Sequence, residues 1–276
     1  MHVNLNNNPK NVYVLDGKQL ESSEQEKDLG VTTHNSLLWN DQIKNCINKA
    51  NRMICWVVRN VVIREKNVML SIYKALIRPH LEYCVQLWNP ARPYGSWAVI
   101  LQIEGVQRRF TRLISDIGTL PYSHRLETLG LTTLAERRAR GDLIEAFKAV
   151  NNISLYGNSM FKVSRSGSNL VSRPRSSRGS TKLQQMHKMF LSERVIESWN
   201  KLPVSVKTAD SVLKFKIMLN EYKKDNIFET KGNFWGVSNE VLSRIENASY
   251  LDNKEKHNTY LWFNPFVAKK RFININ

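Results

Sequence analysis

The sequence predicts a mainly α fold, a helical bundle preceded by a short N-terminal β-hairpin. Three observations predict it. Apolar residues recur at three- and four-residue spacing through much of the chain between residues 40 and 224, the pattern of helices with one buried face. An Asp-Gly pair between extended-favouring residues marks a tight turn near the start. Hydrophobic residues make up 42% and aromatics 9% of the 276 residues, enough apolar side chain for a sizeable core.

Taken in order, Val12 to Leu20 (VYVLDGKQL) read as two strands around Asp16-Gly17, because both central turn positions need positive φ. The acidic run from Glu21 to Asp28 reads as a solvated loop, and KDLGV (27–31) as a short strand or a lead-in to the helices. Trp39-Asn40-Asp41 opens the first long helix, with Asn40 or Asp41 as N-cap. Its apolar stripe is Ile43, Ile47, Ala50, Ile54, Val57 and Val61. A second segment from about Asn67 to Trp88 places Val68, Ile72, Ala75 and Leu76 in register, and Pro79 should kink or split it.

A third helix, roughly Ser96 to Ser115, faces inward with Val99, Ile103, Val106, Phe110 and Leu113. A short helix from Tyr122 to Leu129 stops at Gly130, a residue suited to a left-handed helix end. Thr133-Leu134-Ala135-Glu136 is a capping box before a fifth helix, whose apolar face is Leu143, Ile144, Phe147 and Val150. Periodicity lapses from Lys162 to Lys182, a Ser-, Arg- and Gly-rich stretch with six basic residues and no acid, which reads as a flexible basic loop. It returns at Phe190, Val195, Trp199 and Leu202, a helix ended by Pro203, and in a last helix from Ser211 to Lys224 that buries Val212, Phe215, Leu219 and Tyr222.

The charge is strongly basic: 41 Lys and Arg against 24 Asp and Glu, a formal net charge of +17. Such a field favours polyanions. Residues 1–58 are neutral, with six bases and six acids, whereas 59–148 carry a surplus of six and 149–225 a surplus of nine. The binding surface is therefore expected in the middle and second half. Nothing approaches the run of roughly 20 apolar residues that a membrane span needs, and Met1 to Lys10 lack the apolar core of a secretion signal. The expectation is an intracellular protein with no membrane partner. Three cysteines, Cys46, Cys55 and Cys84, form no CxxC pair and read as buried reduced thiols rather than metal ligands.

Three groups of cations are candidate phosphate contacts: Arg108, Arg109 and Arg112 on the third helix; Arg137, Arg138 and Arg140 on the fifth; and Arg173, Arg175, Arg178 and Lys182 in the basic loop. Helical arginines suit a groove and give salt-dependent, largely sequence-independent affinity. The two helical groups have a plainer alternative, a solvated face paired to Glu104 or Asp116, or to Glu136 or Asp142, and the basic loop, with no nearby acid in sequence, that of a solvated tail. The arginines of the fifth helix also oppose its macrodipole, a small penalty that an anionic partner would offset. Trp39, Trp88 and Trp199 lie at the edges of apolar stripes and read as core anchors rather than base-stacking platforms, and the Tyr83-Cys84 pair reads as core too.

The ordered blocks KDLGV (27–31), Leu38-Trp39, KAN (49–51), YKALIRPHLEYCVQLWNP (73–90), VQRRFTRLI (106–114), Tyr122, RLETLGL (125–131), ERRARGDLIEAFK (136–148), RVIESWNKLP (194–203) and the Ser211 to Phe215 motif carry a family likeness. In that order and spacing, over about 12–224, the chain resembles the C-terminal, post-palm region of jockey-like non-LTR retrotransposon reverse transcriptases. The resemblance implies a thumb-like helical bundle that grips template–primer RNA and DNA, with an upstream palm domain as a further partner. It implies segments 1–36 (end of the palm with the hairpin), 37–160 (thumb-like domain), 161–185 (basic loop), 186–225 (C-terminal helices) and 226–276 (divergent tail). The family's polymerase uses a palm Asp-Asp turn to hold two metal ions, and this sequence contains no Asp-Asp pair. The resemblance therefore implies no catalytic residue, no metal ligand and no cofactor here, Mg2+ belonging to the parent polymerase, and no enzyme activity of the chain alone. A host-retained nucleic-acid-binding or interaction protein, or an inactive pseudogene product, is the alternative.

Overall fold

The computed structural model describes residues 12–90, 97–154, 160–163, 170–172, 189–230, 243–245 and 247–248. Two antiparallel hairpins begin it. Strands β1 (Val14–Leu15) and β2 (Lys18–Gln19) turn at Asp16-Gly17, both at positive φ, as the Asp-Gly signal requires. Strands β3 (Gln25–Asp28) and β4 (Val31–His34) make the second hairpin and turn at Leu29-Gly30, at φ 44° and 85°. The acidic run is thus partly strand rather than loop, and KDLGV is the hairpin tip. Leucine rarely adopts a left-handed conformation, so the sequence hid this turn. The tip is held from outside: the Tyr83 hydroxyl donates to the Leu29 carbonyl at 2.7 Å.

Helix α1 (Asn40–Asn60) starts one residue earlier than expected, with Trp39 at the N-cap and no side-chain capping bond. It buries Ile43, Cys46, Ala50, Ile54 and Val57, with Ile47 and Val61 packed at the margin. The next segment departs from the expected register. It runs as α2 (Lys66–Ile72), a π-turn (Tyr73–Ile77), α3 (Arg78–Glu82) and α4 (Val85–Trp88). Pro79 has no N–H, and its ring would meet the Ala75 carbonyl in a continuous α-helix. The wider π-turn just before it accommodates both problems. The extra residue rotates the inward face onto Met69, Tyr73, Ile77, Leu81, Val85 and Trp88, leaving Val68 and Leu76 exposed. Tyr83 is exposed and Cys84, at φ 49°, only half-buried, so this pair is a surface break between α3 and α4 rather than core. Cys55 is also half-buried, and only Cys46 of the three is fully interior.

Helices α5 (Trp97–Thr111), α6 (Tyr122–Leu129) and α7 (Leu134–Val150) follow the sequence closely. At Gly130 (φ 60°) the Gly130 and Leu131 amides donate to the Glu127 and Leu126 carbonyls, the double bond that ends a helix at a left-handed residue. The capping box is present: the Glu136 amide donates to Thr133 Oγ1 and the Thr133 amide to Glu136 Oε2, each at 3.1 Å.

Helix α7 is the centre of the fold, packing against α4, α5, α8 (Leu191–Arg194), α9 (Ile196–Asn200) and α11 (Val212–Thr230). The single helix expected over 190–202 is broken at Val195, yet Val195, Trp199 and Leu202 are all buried. Pro203 then caps α10 (Val204–Lys207). Phe215 stacks on Phe147 at 4.3 Å between ring centroids and lies 6.1 Å from Trp199. The C-terminal helices therefore share one apolar core with the rest of the bundle, a cluster that reaches from Val31 to Ile245. Of the basic loop, the described residues show a two-strand pairing of β5 (Lys162–Val163) with β6 (Val171–Ser172).

Candidate nucleic-acid interface

Placed on this frame, the candidate arginines sort by what they touch. Arg108 is 3% exposed. Its guanidinium lies 5.6 Å from the centre of the Tyr122 ring, and that of the buried Arg125 lies 5.4 Å from it. Arg125 also donates to the Arg108 carbonyl at 3.0 Å. Both cations thus sit against the aromatic face inside the bundle. Arg109, beside it on α5, and Arg112, just past the end of that helix, are half-buried.

On α7, Arg137 makes a bidentate pair with Glu82, its second bond at 3.1 Å. Arg138 is 2% exposed and its Nε donates to Asn89 Oδ1 at 3.1 Å. Burial pulls its pKa below the usual guanidinium value, opposed by the nearby carboxylates of Glu104, Asp142 and Glu82. Arg140 is half-buried, donates to Asn220 Oδ1 at 3.1 Å, and is also lowered by burial. The macrodipole penalty expected here is offset inside the protein. Glu104 accepts the Leu134 amide at 3.0 Å, at the first turn of α7, while Glu136 completes the cap and receives Lys223 Nζ at 3.1 Å. Arg173, Arg175, Arg178 and Lys182 lie outside the described residues.

The most enclosed polar cluster joins Tyr73, Glu104, Gln107 and Tyr122. Tyr73 donates to Gln107 Oε1, Gln107 Nε2 donates to the Tyr122 hydroxyl at 2.8 Å and to the Thr132 carbonyl at 3.1 Å, and Tyr122 donates to Glu104. Burial raises the Glu104 pKa, partly countered by the Tyr122 hydrogen bond and by Arg138. Burial also lifts both tyrosines well above their usual range. All four side chains are interior, so the cluster ties α5, α6, α7 and the π-turn together rather than facing a ligand. Among the described residues, no group of three His, Cys, Asp or Glu side chains is placed to hold a metal ion. Nor is any helix there long and apolar enough to cross a membrane.

Cations that do face solvent were missed by counting charge along the chain. Lys44, Lys49, Arg52 and Arg59 on α1 are all exposed. The window 1–58 sums to zero because five of its six acids sit between Asp16 and Asp28, in and beside the hairpins. The second hairpin packs on the first turns of α1, where Gln42 accepts from the Thr32 amide and Asn45 donates to Thr32 Oγ1, and Arg52 and Arg59 lie further along the helix. A helical wheel of α1 carries the signal, since Arg52 and Arg59 fall opposite the stripe Ile43, Ala50, Ile54 and Val57, with Lys44 and Lys49 on its flanks. Trp39, Trp88 and Trp199 are 7%, 0% and 0% exposed and anchor the core as expected. Set against protein-family models, curated proteins and solved structures, the chain matches none.

Proposed function

We propose that this chain is the post-palm, thumb-like part of a jockey-like non-LTR retrotransposon reverse transcriptase, and that it grips template–primer RNA and DNA without sequence preference. The ordered blocks between residues 12 and 224 support the ancestry, and the mainly helical bundle with its N-terminal hairpin is of the architecture that ancestry implies. The nucleic-acid part is carried by one observation: α1 exposes Lys44, Lys49, Arg52 and Arg59, and no acidic residue occurs between Asp41 and Glu65. A cationic helix face with no carboxylate of its own attracts phosphates. The arginines of α7 serve the fold in this reading, and α1 replaces them as the grip. Lacking an Asp-Asp pair, the chain supplies binding and a separate palm supplies the metal-dependent chemistry.

The test is titration of an RNA/DNA hybrid with the full chain at about 50 and 200 mM salt. Four phosphate contacts give a log–log slope of about −3.6, roughly a 150-fold loss over that range, from micromolar affinity at low salt. Binding that ignores salt, or no binding at low salt, overturns the proposal.

A further inference from the structure

Of the tryptophans whose burial is described, Trp56 alone faces water: it is 51% exposed, whereas Trp39, Trp88 and Trp199 are interior. It stands on the outer side of α1, bracketed by Arg52 four residues before and Arg59 three residues after, the spacings that place side chains side by side on a helix. The two arginines are about 10 Å apart along the axis. The indole takes no part in the core, and Asn60 Nδ2 donates to the Trp56 carbonyl at 2.7 Å, securing the backbone beneath it. The acidic hairpin meets the first turns of α1, where Asn45 donates to Thr32 Oγ1 of β4 at 3.2 Å. Asn45 and Trp56 are about 16 Å apart along the helix.

From this we infer that the outer face of α1 is a stacking platform for single-stranded nucleic acid, with an unpaired base on the Trp56 indole and the flanking phosphates on Arg52 and Arg59. The inference rests on the nucleic-acid reading above and adds to it a residue, a contact and a preference. Stacking needs a base with a free face, which a duplex does not offer. A duplex meets only the arginines, while a single strand meets arginines and indole together. A solvent-exposed indole between two cations, with no carboxylate on that stretch of helix, is the pairing of apolar platform and phosphate contact that such a strand requires.

The experiment measures binding of the full chain to a 12-nucleotide oligo(dT) and to a hybrid duplex of equal length. Trp56→Ala should weaken the single strand about tenfold and leave the duplex within about twofold, while Trp56→Phe, which keeps a π face, should retain most of the single-strand affinity. Arg52→Gln with Arg59→Gln should flatten the salt slope on the single strand by about 1.4. Equal losses on both ligands, or none, overturn the platform and leave the proposed function standing. Absence of binding to either ligand by the unaltered chain overturns both. Should Trp56→Ala melt early, Trp56→Phe and the arginine pair decide the matter: an unchanged slope and an unchanged single-strand preference in the arginine variant reject the inference.

Discussion

Arg194 and Asp142, 52 residues apart in sequence, form a bidentate ion pair in the interior, with bonds of 2.8 and 2.7 Å and side chains 3% and 6% exposed. The pair does not stand alone. Asp142 also accepts from Asn89 Nδ2 at 2.9 Å, Asn89 in turn accepts from Arg138, and Arg194 donates to the Met189 and Gln86 carbonyls at 2.6 and 2.8 Å. One polar network therefore binds the end of α4, the middle of α7 and the end of α8. An ion pair satisfied this fully is costly to break from one side, because the remaining charge stays buried.

Replacing one partner should accordingly be severe. Arg194→Met is expected to lower stability by about 3–5 kcal/mol in urea unfolding, since Asp142 stays buried and loses its ion-pair partner while keeping the Asn89 bond. The double change Arg194→Met with Asp142→Leu should recover a good part of that loss. Additive losses in the double variant would show that the two side chains act independently.

The stack of Phe215 on Phe147 bears on how the C-terminal helices relate to the rest. Because α11 buries Phe215 and Leu219 against α7 and Trp199, unfolding should proceed as one transition. Phe215→Ala should lower the whole transition, by about 3–5 kcal/mol, with far-UV and tryptophan signals moving together. A variant that splits the melt in two, leaving the first transition at its original midpoint, would place these helices in a separate unit.

Glu104 gives the bundle a pH dependence of defined sign. Its folded pKa is raised, chiefly by burial, so the native state holds the proton more tightly than the unfolded chain does. The resulting stabilisation is fully present below the unfolded value of about 4.3 and is lost as pH rises through the raised folded value. Glu104→Gln keeps an acceptor for the Leu134 amide and removes the titration. Thermal melts of both proteins between about pH 4 and pH 7 should show the variant gaining on the original protein as pH rises, then levelling. A difference in Tm that is flat across this range contradicts the assignment.

Local chemistry made much of the fold legible. Asp16-Gly17, Thr133 with Glu136, and Gly130 each require a particular backbone geometry, and each adopts it. The failures share a cause, which is competition from something distant in sequence or uncommon in type. Leu29 turns a hairpin that its side chain disfavours, with Tyr83 holding the tip from 54 residues away. Pro79 moved the inward face of its segment by forcing a π-turn, so the stripe through Val68 and Leu76 ended in solvent. The candidate cations were the least legible. Arg108 and Arg138 look like surface charge in the sequence, and whether a guanidinium lies against Tyr122 or beside Asn89 depends on residues 14 to 49 positions away.

By itself, the sequence determined the helical class, the caps and turns, the large positive charge and most of the core anchors, because these follow from the spacing and type of neighbouring residues. Tertiary structure alone decided where the charge is available. It turned Arg138 and Arg108 inward, tied Arg137 to Glu82 and Arg140 to Asn220, assembled Arg194, Asp142, Asn89 and Arg138 into one network, and kept the hairpin's bonds to α1 at Gln42 and Asn45, well before the stretch around Trp56. The physical reason is that exposure and electrostatic pairing are set by distances through space, which a count along the chain averages away.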